Sequence, residues 1–343
     1  MLAILNNTPF AVQLAPALDL QRRDVAIVVV KATFRVSHDG ATTVAEAQEP
    51  VALADVHEGD PSHSSVRYES DLAPYKPGTD VVLNGHAYPQ TPRSELIVTV
   101  EAGPLSKSVR VVGDRTWTRD PTGHYRPSSP ARFEAMPLVY ERAFGGVDRS
   151  IPPPDASSTS PSDPRNPVGV GFLAEATRAS PQDLELPNLE DPQAPMTSPT
   201  DRPTPASFGF VHRSWSPRAR LAGTYDATWQ AERAPYLPDD FDVRFHHAAS
   251  PGLVSPQPFR GGELVRAYNT RPGGGMFQFY IPRHVVEADV RLHGKDAAYV
   301  AQLDTVVIEP DLERVLCTWR AVVPCPRSFL KIERVRVKLR ESN

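Results

Sequence analysis

A mainly β fold, with sandwich- or barrel-like sheets, few short helices and one long irregular segment, is predicted by three features of the chain. β-Branched runs bounded by turn residues occupy both ends, proline crowds the middle, and only residues 224–233 read as a helix. Of 343 residues 37 are proline, about double the usual share of roughly 5%. Residues 121–260 hold 23 of them, and at about 3 kcal/mol per interior proline long helices are excluded there.

Taken in order, residues 24–36, DVAIVVVKATFRV, are dense in β-branched side chains and end in alternation, which predicts a buried central strand with a half-exposed end. TDVVLNGHAY at 79–88 and SELIVTVE at 94–101 predict further strands. The second runs through Ala102-Gly103-Pro104 into KSVRVVGD as a β-hairpin. Turn signals at Pro77-Gly78 and at Asp120-Pro121-Thr122-Gly123 bound them at the spacing of a sandwich or barrel. Strand character returns after Gly261-Gly262 with ELVRAYN, GMFQFYIPR, VVEADVRLHG, AAYVAQLDTVVIEP (read as one strand), ERVLCTWRAVVP and IERVRVKLR. No 20- to 50-residue period repeats, so a propeller or solenoid is not expected. The expected organisation is an N-terminal β region (1–120), a proline-rich irregular wrapper (121–260) and a C-terminal β region (261–343), the two β regions being separate or one continuous sandwich. The helix at 224–233 is capped by Thr224 or Asp226. IPPPDASSTSPSD at 151–163 is the expected mobile loop. Trp117, Tyr140, Phe144, Trp215, Trp229 and Phe241 are expected to pin the wrapper to the β-core, each ring worth about 1.5–3 kcal/mol by buried area.

Composition narrows function. With 40% hydrophobic and 23% charged residues the chain has no run near the roughly 18 apolar residues of a membrane span. The apolar N-terminus stops at Asn6-Asn7 without a basic n-region, which predicts a cytoplasmic protein. Two cysteines, Cys317 and Cys325, are too few for a disulfide framework or a cysteine-built zinc site. A net charge of −4 gives no global attraction to nucleic acid or anionic lipid.

Four constellations carry possible chemistry. His57-Glu58-Gly59-Asp60-Pro61-Ser62-His63 has metal-ligand donors, but Pro61 breaks a helix and the composition is that of a polar turn. Asp239-Asp240-Phe241-Asp242 with His246-His247 can supply a general acid/base pair, but nothing in the sequence fixes that geometry and the stretch reads rather as an aspartate-capped turn after Pro238. Cys317, in a strand beside Val315, Leu316 and Trp319, reads as an inert core thiol rather than a nucleophile. Arg334, Arg336, Lys338 and Arg340 alternate with Val335, Val337 and Leu339, which reads as a solvated face whose charges discourage edge pairing rather than a phosphate track. Nucleotide-binding and nucleophile-elbow glycine motifs are absent. No catalytic, metal or cofactor-binding residue is therefore expected.

Read in order, NNTPF, VVVKATF, YESDLAPYKPGTDV, GDRTW, MPLVYERAFGG, DPRNPVGVGF, LPNLEDP, LAGTYDATW, LPDDFDVRFHHAA, FRGGE and LDTVVIEP resemble the bacterial domain of unknown function 2169 family over nearly the whole chain. The chain departs at His247, where histidine is less expected. The resemblance implies a non-enzymatic adaptor or chaperone of type VI secretion. Its partners would be a secreted toxin effector, often with a proline-alanine-alanine-arginine repeat tip domain, and the valine-glycine repeat spike. The alternative from the residues is a β-rich hydrolase or carbohydrate-active enzyme using Asp240, Asp242 and His246.

Overall fold

Side chains alternate across a strand, so a run that is apolar at every position must be covered on both faces. Asp24–Val36 is nearly such a run: Lys31 and Thr33 are its buried polar residues, and only Asp24 and Arg35 escape burial. In the computed structural model, which describes residues 3–153, 155, 159–175, 180–326 and 328–340, it lies inside a seven-stranded sheet. Arg314–Pro324 pairs antiparallel on one side and Ala11–Leu18 on the other, with Thr42–Val44 against its end. Beyond Arg314–Pro324 come Gln302–Glu309, then Thr79–Leu83 running parallel to it, then Val254–Ser255.

The expected hairpin forms from Glu95–Ala102 and Leu105–Val112. It is the centre of a five-stranded sheet completed by Leu189–Glu190, Leu264–Arg271 and Gly275–Tyr280. A four-stranded sheet runs Ala3–Asn7, Ile332–Arg340, Val285–Leu292, Lys295–Val300. The fold is thus mainly β, as open sheets with no closed barrel among the described residues. Strands from the two ends of the chain pair with one another in all three sheets. Val30 and Phe34 from the first sheet, Val98 and Phe277 from the second, and Val286 and Val335 from the third join one apolar cluster. Within it Phe10 stacks on Trp319 at 6.1 Å and meets Phe34 edge-on at 5.7 Å.

Among the described residues the proline-rich segment contributes two short α-helices, Ser216–Ala219 and Ala227–Glu232. The second is capped by Asp226, whose Oδ1 accepts the Trp229 N–H at 2.8 Å. Tyr140 and Trp215 are buried in the main core, their rings edge-on at 5.1 Å. Trp117 and Phe144 build a small second core with Leu186 and Met196. The wrapper packs closely at its paired glycines. Gly146, at φ +92°, lies where a Cβ would come within 2.1 Å of the Gly169 carbonyl oxygen, so no side chain fits. Asn166 holds this crossing by donating Nδ2–H bonds to the carbonyls of Tyr140 (2.8 Å) and Phe144 (3.0 Å).

Several expectations need correction. AAYVAQLDTVVIEP is two strands: Lys295–Val300 ends the four-stranded sheet, and the chain crosses at Ala301 into the seven-stranded one. There the Ala301 N–H is taken by the Val286 carbonyl at 2.8 Å. Trp229 and Phe241 are only half-buried. Trp229 packs on Tyr225 at 4.7 Å and donates Nε1–H to the Tyr236 carbonyl, so it staples its own loop instead of the core. Ile332–Arg340 is flanked on both sides, so its basic residues protect no edge. Instead Lys338 reaches Glu287 and Asp289, and Arg334 reaches Asp296. The loop expected to be mobile, 151–163, includes positions 154 and 156–158, which lie outside the described residues. Among the described residues no helix is long and apolar enough to cross a membrane.

Candidate functional site

While one face of the seven-stranded sheet feeds the apolar core, the other carries a row of polar side chains. Strand register sets Lys31 opposite Thr318, Thr318 opposite Thr305, and Thr305 opposite Asp80, straight across four strands. Asp304 and Arg320 stand beside this row. The loop around residues 69–76 and the wrapper close over it, leaving these groups buried. Burying a charge is tolerable only when it is paired and hydrogen-bonded, and each one here is. Lys31 Nζ meets Asp71 Oδ2 at 2.9 Å, and Arg320 Nε donates to Asp304 Oδ2 at 2.6 Å. Lys76 Nζ donates to Asp80 Oδ2 at 2.8 Å and to Thr305 Oγ1 at 3.0 Å. Arg218 donates to Glu69 Oε1 at 2.6 Å and to the carbonyls of Val211 and Phe245.

Asp80 is the hub. Besides Lys76, its carboxylate meets His247 Nδ1 at 2.7 Å and accepts the Ala248 N–H at 2.8 Å. Burial alone raises its pKa, but Lys76, His247 and Ala248 together outweigh that and hold it well below the carboxylate range. For Lys76 burial is likewise outweighed, by Asp80, Asp304 and Glu69, and its pKa rises. For Glu69 burial prevails over Arg218 and Lys76, and its pKa is raised.

Next to this layer a hollow of about 470 Å³ opens to the surface. Lys76, Asp304, Arg320 and His246 face it from the floor, and Leu18, Leu20, Tyr75 and Val300 stand around it. Burial first, then the charges of Arg218, Lys76 and Arg320, push the His246 pKa down to about 3, so the ring is neutral at physiological pH. A second hollow, of about 690 Å³, lies between Ser62, His63 and Trp117 on one side and Gly145, Gly171 and Asp183 of the wrapper on the other. Its charged lining residues are Asp148, Arg149, Asp183 and Glu185.

The residues singled out from sequence are placed as follows. Asp240 accepts the Thr224 N–H and hydroxyl at 2.9 and 2.7 Å, and Asp242 caps the turn Val243–His246 while pairing with Arg244. Asp239 pairs with Arg233. Asp240, Asp242 and His246 do not hydrogen-bond one another. Hydrogen bonds hold both Asp240 and Asp242 below the usual range, a direction that suits caps and not general acids. The adjacent histidines part: His247 serves Asp80, and His246 faces the hollow. At 57–63, His57 Nδ1 lies 3.1 Å from the Ser64 carbonyl, Glu58 pairs with Arg67 and Asp60 takes the Ser62 N–H and hydroxyl. No three potential metal ligands gather among the described residues. Cys317 and Cys325 are buried, and burial pushes both thiols up.

The charge layer was missed from sequence, although it has a signal: Lys31, Asp80, Asp304 and Arg320 are each a lone charge within an apolar strand run. Also missed was Lys107, whose ammonium donates to Ser250 Oγ, which also accepts the Tyr140 hydroxyl at 3.0 Å. Burial lowers Lys107 to about 8. The group resembles a serine–lysine dyad in composition, but Ser250 is fully buried and no substrate reaches it in this arrangement.

A family model described as "Uncharacterized protein conserved in bacteria (DUF2169)" matches residues 21–320. No curated protein and no solved structure matches the chain.

Proposed function

The chain belongs to this bacterial family, and we propose that it acts there as a non-enzymatic, cytoplasmic adaptor that holds a type VI secretion effector and helps to load it onto the spike and tip complex. The observation that carries the reading is a collar of exposed apolar side chains at one place on the surface. Leu18 (41% exposed), Leu20 (44%), Tyr75 (43%) and Val300 (54%) all border the same hollow. Exposed apolar side chains gathered this way mark a surface that another molecule covers. Beneath them the charge layer is spent on internal pairs, which makes a stiff platform and lowers the ordering cost of holding a partner.

Co-expression with each neighbouring open reading frame tests the proposal. One secreted effector should co-purify, the complex should survive moderate salt because a net charge of −4 offers no strong single-sign field, and deleting the gene should abolish delivery of that effector alone. Loss of every effector would make the protein a structural part of the machine. Loss of none, with turnover of a substrate that depends on Asp240, Asp242 or His246, would put the enzyme reading in its place.

A further inference from the structure

We propose that the hollow between the turn at 18–23 and the turn Val243–His246 is a binding site for a carboxylate carried on an apolar body. The walls supply the apolar half: Leu20, Val25, Leu237, Val243, Val300 and Val322 line it. Its volume of about 470 Å³ falls within the roughly 300–1,000 Å³ of small-ligand sites.

The floor supplies the polar half, and its unspent capacity is chiefly for donating. An ammonium has three N–H donors and a guanidinium five. Lys76 uses two, on Asp80 and Thr305. Arg320 gives Nε–H to Asp304 and one Nη–H to the Asp71 carbonyl at 2.5 Å, while its other Nη reaches Asp304 only at 3.5 Å. The imidazole of His246 has no hydrogen-bond partner among the described residues. The acceptors are already served: Asp80 takes Lys76, His247 and Ala248, and Asp304 takes Arg320 and Thr305. Along the lining each cation has its counter-charge: Arg23 pairs with Asp19, Arg320 with Asp304, and Lys76 with Asp80 just behind it. What a ligand can still meet is therefore the remaining N–H capacity of Lys76 and Arg320, which calls for an acceptor. A carboxylate also makes charge-assisted bonds with the free Lys76 and Arg320 donors, stronger than those a neutral carbonyl makes.

The proposal stands apart from the adaptor reading, since a free organic acid satisfies it as well as the C-terminus of a polypeptide. Calorimetric titration of the full chain with four probes separates these sources: 4-phenylbutyrate and its amide, and acetyl-Ala-Ala-Leu as acid and as amide. At least one acid should bind about tenfold or more tighter than its amide. A tighter tripeptide acid assigns the site to chain ends, and a tighter phenylbutyrate to free acids. Val300→Glu, at an exposed position that leaves the fold intact, should weaken acid binding about tenfold by placing a like charge at the mouth, with little effect on the amide. The proposal is overturned if each acid binds within about twofold of its amide, if no probe binds up to about 10 mM, or if Val300→Glu leaves acid affinity unchanged while its melting matches the parent.

Discussion

Replacing Asp80 by asparagine keeps the shape of the hub and removes its charge. The carboxylate is fully buried and holds Lys76 Nζ at 2.8 Å, His247 Nδ1 at 2.7 Å and the Ala248 N–H at 2.8 Å. Asparagine can still accept one bond, but the Lys76 ammonium, itself buried, loses its nearest counter-charge. Breaking a buried pair by removing one partner costs about 3–5 kcal/mol, a large part of the roughly 5–15 kcal/mol that holds a domain folded. With an unfolding entropy of about 2.1 cal/mol/K per residue over 343 residues, that loss lowers the melting temperature by about 4–7 °C in differential scanning calorimetry at pH 7. The sign with pH follows from linkage. Asp80 titrates in the folded chain below its unfolded value, so its contribution is fully present above about pH 4 and is lost as pH falls through the folded pKa. Asp80→Asn therefore loses this acid-dependent part of the stability. The double variant Asp80→Leu with Lys76→Met removes both charges and should be at least about 2 kcal/mol more stable than the sum of its single changes. An Asp80→Asn protein melting within about 1 °C of the parent, or strict additivity in the double variant, would refute the picture of a coupled buried layer.

Other perturbations read different parts of the molecule. Because His246 is held neutral with its pKa at about 3 against an ordinary 6.5, the unfolded chain binds the extra proton between those values. Stability falls as pH drops from about 6.5 toward 3, by up to about 1.4 kcal/mol per unit, and a pH series of denaturant melts should show a flatter decline in His246→Phe. Trp117→Ala should cost about 3–5 kcal/mol because the ring is 1% exposed, whereas half-buried Trp229→Ala should cost clearly less; equal urea midpoint shifts would contradict the burial difference. Gly146→Ala forces a methyl toward the Gly169 carbonyl oxygen 2.1 Å away, and the soluble yield should collapse. Leu330→Ser, at a side chain 85% exposed, should stay within about 0.5 kcal/mol of the parent in the same melts.

Local chemistry was enough for the sequence to determine the mainly β class. The β-branched run 24–36 has one plausible backbone state, the Gly103-Pro104 turn joins its two strands, and Asp226 caps the short helix that follows it. It also determined that Cys317 packs in a core strand, since its immediate neighbours are apolar. Tertiary structure decided everything that depends on distant pairing. Nothing local tells that Thr79–Leu83 lies parallel to Gln302–Glu309, or that the chain changes sheets at Ala301. The candidate site shows the same division. His246 is legible as a residue but its surroundings are not: Asp240 and Asp242, its neighbours in sequence, are the caps that the capped-turn reading expects, held by Thr224 and Arg244. The groups that do surround it, Lys76, Asp304 and Arg320, lie far along the chain and meet only because four strands align their polar sides under the wrapper. A buried charge is stable only beside its counter-charge, and which counter-charge that is depends on strand register, set by the apolar core on the opposite face of the sheet.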